Sequence, residues 1–286
     1  MKLGVSTYSL HGAFSSGELT VAGVIEYIGS IGAEHVEIVP LGFSLVEDPS
    51  LIGTIRDAAA TNGLELSNYA IGANFADKTD GEIAAEIERV KREVDVCAAL
   101  GIKRMRHDVA SSKDLSITHF LDELPRLVEA CREIADYAAG FGITTSVENH
   151  GYFIQHSDRV QALVKAVDRE NFRTTLDIGN FLCADENPLV AVANNIGLAS
   201  MVHVKDFYVR PANRYPGEGW FKSSGGQYLR GAIAGQGDLD TPGILGIVKR
   251  SGYDGYVSIE FEGMEECRNG TKLAFDYVKR TWDELA

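Results

Sequence analysis

The sequence predicts an α/β chain folded as a single-domain (β/α)8 barrel. Three observations carry that expectation. Short apolar strand segments alternate with amphipathic helical segments along the whole chain, and eight such units suit a length of 286 residues. No G-x-G-x-x-G follows the first strand segment, so the main sign of a doubly wound open sheet is missing. No linker, low-complexity stretch or composition break divides the chain, so one domain is expected over residues 1–286.

In chain order, the strand segments are 3–8, 35–39, 64–70, 102–107, 143–148, 172–177, 200–205 and 255–261. Helical segments fall at 18–31, 49–62, 80–100, 115–140, 157–168, 188–196 and 241–251, with a last one at 270–284. Asn187 before Pro188 and Thr241 before Pro242 each set a capping side chain beside a proline suited to the first helical turn. Gly63, Gly101 and Gly142 each follow a helical segment and precede a strand, as C-terminal caps do. The one long interruption is 206–236, rich in glycine and aromatic residues. Its length and its rings (Tyr208, Tyr215, Trp220, Phe221, Tyr228) predict a functional loop over the barrel mouth rather than a disordered one.

Composition narrows the function. Forty-five per cent of residues are hydrophobic, enough for a sizeable core, and 41 acidic against 27 basic residues leave a net charge of −14. That field opposes nucleic-acid phosphate, so no nucleic-acid partner is expected. Four scattered cysteines without CxxC spacing fit a reducing compartment rather than a disulfide scaffold or zinc ribbon. The chain enters its first strand directly, and no apolar run reaches the ~18 residues of a membrane span. A cytoplasmic enzyme without a membrane partner is expected, with a homo-oligomer left open.

In a barrel of this kind, catalytic side chains sit at the C-terminal ends of strands. The last four strand segments end in Ser146-Val147-Glu148-Asn149-His150, Thr175-Leu176-Asp177-Ile178-Gly179-Asn180, Met201-Val202-His203-Val204-Lys205-Asp206 and Ser258-Ile259-Glu260-Phe261-Glu262. Each delivers a potential metal ligand as its apolar run finishes. A single acid at a strand end is usually a helix cap or a solvated loop residue; four on successive strands are hard to assign to chance. Three carboxylates and an imidazole at one pore mouth need a cation. Hard oxygen donors with one nitrogen suit one divalent ion, Mn²⁺ first, with Mg²⁺, Co²⁺ or Zn²⁺ as alternatives.

Over essentially its whole length the chain resembles the sugar phosphate isomerase/epimerase family of xylose-isomerase-like TIM barrels. The resemblance rests on Val147-Glu148-Asn149-His150-Gly151, Leu176-Asp177-Ile178-Gly179-Asn180, His203-Val204-Lys205-Asp206, Gly235-Gln236-Gly237-Asp238-Leu239-Asp240 and Ile259-Glu260. It implies that Glu148, Asp177, His203 and Glu260 bind the metal. It also implies that Glu148 and Glu260 move a proton on opposite faces of an enediolate. The substrate it implies is a small carbohydrate or keto-sugar, turned over by an isomerase or epimerase. The spacings of His150 and Lys205 resemble those of metal-dependent dehydratases on this fold, which makes both catalytic candidates and keeps a lyase as the alternative reaction. Lys205 reads equally well as a structural lysine paired with a neighbouring acid.

Weaker candidates for substrate contact are Glu37 and His107 at the ends of the second and fourth strands, Asn180, and Trp220 in the long loop. The bland readings are a cap or rim hydrogen bond for the first two and a loop anchor for Trp220. His11, after the first strand, is a similar candidate. Asn180 stands where many relatives carry histidine, and Val209 where the epimerases carry arginine, with Arg210 one residue later. The histidines of the three-zinc AP endonucleases are also missing, which argues against DNA repair.

Overall fold

The computed structural model describes residues 1–285. Eight parallel strands close into a barrel: β1 (Lys2–Ser6), β2 (His35–Ile38), β3 (Glu65–Ile71), β4 (Arg104–His107), β5 (Thr144–Glu148), β6 (Phe172–Asp177), β7 (Ala199–Val204) and β11 (Tyr256–Ile259). They neighbour one another in chain order, and β11 closes the ring against β1, with Val5 beside Ile259. Three further strands, β8 (Asp206–Arg210), β9 (Phe221–Lys222) and β10 (Tyr228–Ala232), form a separate sheet with β10 in the middle. The helices are α1 (His11–Ser15), α2 (Val21–Ser30), α3 (Ser50–Thr61), α4 (Asp80–Leu100), α5 (Ile117–Ala139), α6 (Ser157–Val167), α7 (Pro188–Asn195), α8 (Thr241–Arg250) and α9 (Cys267–Glu284). No helix among the described residues is long and apolar enough to cross a membrane.

Local chemistry sets the helix ends. The α4 start is a reciprocal capping box, in which Thr79 accepts from the Glu82 backbone and Glu82 from that of Thr79. Asn187 caps α7 as expected, accepting from Val190 N. The cap of α8 is Asp240, not Thr241: the Asp240 carboxylate accepts from Gly243 N, and Thr241 is already the first helical residue. The α9 helix starts three residues before its expected position because Glu266 accepts from both Arg268 N and Asn269 N. Gly63, Gly101 and Gly142 take the positive φ of C-terminal caps, at 66°, 79° and 64°.

Period-two alternation divides the barrel strands between two environments. Val36, Met105, Val147, Leu176, Val202 and Val257 face outward into the apolar layer beneath the helices. The residues between them turn inward and form a polar interior tied by its own hydrogen bonds. Ser146 and Thr175 hydroxyls lie 2.8 Å apart, and the buried His35 ring reaches across β1 to the Val257 carbonyl at 3.1 Å. Gly4 makes that crossing feasible, since a Cβ there would lie 2.6 Å from the imidazole and 2.2 Å from the His35 carbonyl oxygen.

The expected 206–236 loop is largely this extra sheet. Phe207, Val209, Phe221 and Leu229 turn to one side and pack with Cys183 into a small apolar cluster of their own. Tyr208 and Arg230, paired across the sheet, turn to the other.

Candidate active site at the barrel mouth

Four strand ends place Glu148, Asp177, His203 and Glu260 with one ligand atom each, all within 4.8 Å of one another, and all four residues are buried. His203 stands between the glutamates: its Nδ1 is 3.7 Å from Glu148 Oε1 and 3.7 Å from Glu260 Oε1. Its other nitrogen, Nε2, hydrogen-bonds to Glu37 Oε1 at 3.0 Å with Oε2 at 2.9 Å out of hydrogen-bond alignment, and Asn68 donates to Oε1 of the same carboxylate at 2.7 Å. An imidazole with one nitrogen fixed by a carboxylate and the other free is how a metal-ligating histidine is presented.

Backbone clasps fix the acids. Asn149 accepts from Asp177 N at 2.9 Å and donates to Asp177 O at 2.8 Å, so one side-chain amide holds both peptide groups of the neighbouring strand end. Ser9 does the same around Glu260, accepting from Phe261 N and donating to Ile259 O. The Asp177 Oδ1 atom accepts from Gly179 N and Asn180 N, both at 2.7 Å, leaving Oδ2 without a partner. Gly179 is required here, because a Cβ would lie 2.6 Å from the Lys205 carbonyl oxygen.

Two cations flank the group. Arg106 Nε approaches Glu148 Oε2 at 2.8 Å, an ion pair not aligned as a hydrogen bond, while Asn180 donates to Glu148 Oε1 at 3.0 Å. Lys205 contacts Glu260 at 2.7 Å and Glu262 at 3.1 Å. The charges respond. Burial would raise Glu148, but the Arg106 guanidinium and His203 hold it well below the usual carboxylate range. Burial, opposed by Lys205 but helped by the charges of Glu148 and Glu260, lifts Asp177 to about 7. His203 is held well above its ordinary value despite burial, by Glu37 and Glu260. The unpartnered Asp177 Oδ2 and His203 Nδ1 are orphaned buried atoms facing a shared point, and the donor set is hard oxygen plus one imidazole. These residues fit a divalent cation.

Above them lies a cavity of about 450 Å³, whose walls include Tyr8, Tyr152, Phe207 and Phe221. His150 is half-exposed in it, its Nδ1 3.3 Å from Asp108, which raises its pKa against the effect of burial. Lys205 and Asn180 also face this cavity. The other three expected contacts lie elsewhere. Glu37 is fully buried against His203 and Asn68, outside the residues that line the cavity. His107 points the opposite way from Arg106, packs between Phe75 and Phe172, and is pushed down to about 4 by burial. Trp220 is held between Arg210 and Arg230, at 5.5 and 5.4 Å, and is not among the residues that line the cavity. His11 is exposed beside a neighbouring cavity.

Sequence reasoning passed over Arg106, Asp108, Asn149 and Glu262. The usable signal was parity: Arg106 and Asp108 alternate through the mouth as Glu148 and His150 do, and His107 falls between them.

A closed barrel with a buried carboxylate–imidazole group at the C-terminal ends of its strands defines the class. The chain belongs to the xylose isomerase-like TIM barrel family, whose model matches residues 25–281. It is 26% identical over 262 residues to the 3-dehydroshikimate dehydratase of Pseudomonas aeruginosa, covering 91% of this chain and 38% of that one. It is 24% identical over 162 residues to inosose dehydratase of Lacticaseibacillus casei, covering 54% of each. The matches thus span about two-fifths and about half of these relatives' lengths. The crystal structure of D-allulose 3-epimerase from Methylomonas sp. superposes with a TM-score of 0.75 at 17% identity over 98% of both chains, a likeness of fold.

Proposed function

We propose that this protein is a divalent-metal-dependent isomerase or epimerase that moves a proton beside the carbonyl of a small carbohydrate or keto-sugar. Mn²⁺ is the ion the donor set favours. The observation that carries the reading is the pair Glu148 and Glu260, set 3.7 Å either side of His203 Nδ1 at the floor of a closed-in cavity. Glu148, Asp177, His203 and Glu260 would hold the divalent ion, which would supply Lewis-acid stabilisation of the charge left on the carbonyl oxygen. The two glutamates supply the proton traffic. One accepts the α-proton from its face of the substrate, and the other returns a proton to the enediolate from its own face. Lys205, 2.7 Å from Glu260, steadies that carboxylate, and Arg106 keeps Glu148 ionised. Phe207 and Phe221 give the cavity an apolar wall, the kind of lining from which a bound substrate displaces water.

A second reading, a lyase using the same α-proton abstraction, is favoured by one specific feature. The His150–Asp108 pair at the mouth, in which Asp108 favours the charged form of the imidazole, places a general acid beside a departing hydroxyl. The dehydratase names of the two sequence relatives support it. Incubation of the Mn²⁺-loaded protein with free ketoses and keto-cyclitols in D₂O separates the two. Deuterated isomers support the first reading and an unsaturated product the second. With Glu260→Gln at saturating Mn²⁺, turnover falls about 10²-fold or more, the scale of general acid–base catalysis. Normal exchange in both Glu148→Gln and Glu260→Gln refutes the two-glutamate mechanism.

A further inference from the structure

We infer that the mouth selects an uncharged, polyhydroxylated ketone and rejects its phosphorylated and carboxylated counterparts. This rests on the carbohydrate reading above and adds the charge class of the substrate.

The first support is the disposition of positive charge. Three cationic side chains line the cavity, and each already faces a carboxylate of the chain itself. Arg106 faces Glu148 at 2.8 Å and Asp108 at 3.2 Å, and His150 faces Asp108 at 3.3 Å. Lys205 faces Glu260 at 2.7 Å and Glu262 at 3.1 Å, with Asp177 at 3.8 Å. Five carboxylates therefore surround two permanent side-chain cations. A divalent ion offsets two of those charges and leaves no positive surplus for a phosphate or carboxylate.

The second support is independent and concerns backbone. Barrel enzymes commonly seat phosphate on N–H groups of the loops after the seventh and eighth strands. Here those donors are occupied. After β7, Asp206 accepts from Phe207 N at 2.8 Å, Gly235 N at 2.8 Å, Gly237 N at 3.2 Å and Leu239 N at 3.3 Å. The glycine-rich turn Gly235-Gln236-Gly237 thus wraps a carboxylate of its own chain, and a Cβ at Gly237 would lie 2.1 Å from that carboxylate. After β11, Glu266 accepts from Arg268 N and Asn269 N, and after β6 Asp177 takes Gly179 N and Asn180 N. The backbone cradles after β6, β7 and β11 are thus filled by carboxylates of the chain itself. What remains for a ligand is aromatic wall, from Tyr8, Tyr152, Phe207 and Phe221, with polar groups below, which suits the C–H faces and hydroxyls of a neutral sugar.

The test is calorimetric binding to the Mn²⁺-loaded protein at low salt, with matched probes: D-fructose, D-psicose and D-tagatose against the 1- and 6-phosphates of the same ketoses. At least one free ketose binds, and its phosphates bind at least about 10-fold more weakly. The gap narrows at about 0.5 M salt, because the rejection is electrostatic. Glu262→Gln, which relieves Lys205 of one carboxylate, narrows it too, by improving phosphate-ester binding about 10-fold. Phosphate esters that bind as tightly as the free sugars overturn the inference and leave the carbohydrate reading standing. Failure of every sugar, charged or neutral, to bind overturns both.

Discussion

Lowering the pH should unload stability from the barrel interior through His35, by an amount that follows from its surroundings. The ring is fully buried, packs edge-on against Tyr256 at 4.9 Å, and gives Nε2–H to the Val257 carbonyl while Nδ1 has no partner. Burial therefore lowers its pKa from 6.5 to about 4. The unfolded chain takes up the proton first, so this contribution is complete above pH 6.5 and is lost as pH falls towards 4. Proton linkage with these two values puts the loss at about 2 kcal/mol at pH 5 and about 3 kcal/mol at pH 4. His35→Gln removes the titration and can keep a donor to Val257 O. Urea unfolding of both proteins in EDTA, followed by circular dichroism at pH 7.5 and pH 5.0, isolates the term, because every other titrating group is common to the two. The stability advantage of the native residue should shrink by about 2 kcal/mol between the two pH values. An advantage that stays constant refutes the claim that His35 is neutral in the folded barrel.

Three substitutions test how the site is held. Glu37→Gln removes the carboxylate that fixes His203 Nε2 and should weaken Mn²⁺ binding about 10–100-fold by calorimetry; unchanged affinity would mean that the histidine is oriented by packing alone. Asn149→Ala strands the buried N–H and C=O of Asp177, and at about 1–3 kcal/mol for each group the loss should appear as a lowered thermal midpoint. Gly179→Ala drives a methyl to within 2.6 Å of the Lys205 carbonyl, so turnover should collapse while the far-ultraviolet spectrum stays that of a folded barrel; full activity would show that the β6 and β7 ends can separate freely.

The barrel was legible because short strand segments with apolar outward positions alternate regularly with helices, several of whose ends carry readable caps such as Asn187 and Gly101. The convergence of Glu148, Asp177, His203 and Glu260 was legible for a related reason, since each follows an apolar run at the same height of the barrel. What escaped was set by parity and depth, which a strand end alone does not specify. At β4, Arg106 and not His107 turns inward, and only the register with β5, where Arg106 lies beside Ser146, decides it. Glu37 does turn inward, but its carboxylate is spent on His203 and Asn68 instead of facing the cavity. The sheet of β8, β9 and β10 was hidden for a different reason. Its strands are short and separated by glycine-containing turns, and they gain their apolar face only when Phe207, Phe221 and Leu229 meet Cys183 in the turn after β6.

The two glutamates differ in how the chain restrains them, and that difference bears on which can carry a proton. Glu148 belongs to the regular part of β5 and is engaged on both oxygens, by Asn180 and by Arg106, neither of which can surrender the interaction without leaving a buried charge exposed to its neighbours. Such a carboxylate is kept ionised and kept still. Glu260 lies one residue beyond β11, its position set through the backbone by Ser9, and its side chain meets a lysine whose flexible stem has a second carboxylate, Glu262, within reach. Lys205 can shift its weight from Glu260 to Glu262 without losing its counter-charge. In the proposed two-glutamate reaction each carboxylate takes up and releases a proton, and the looser hold on Glu260 makes that exchange easier there than at the clamped Glu148.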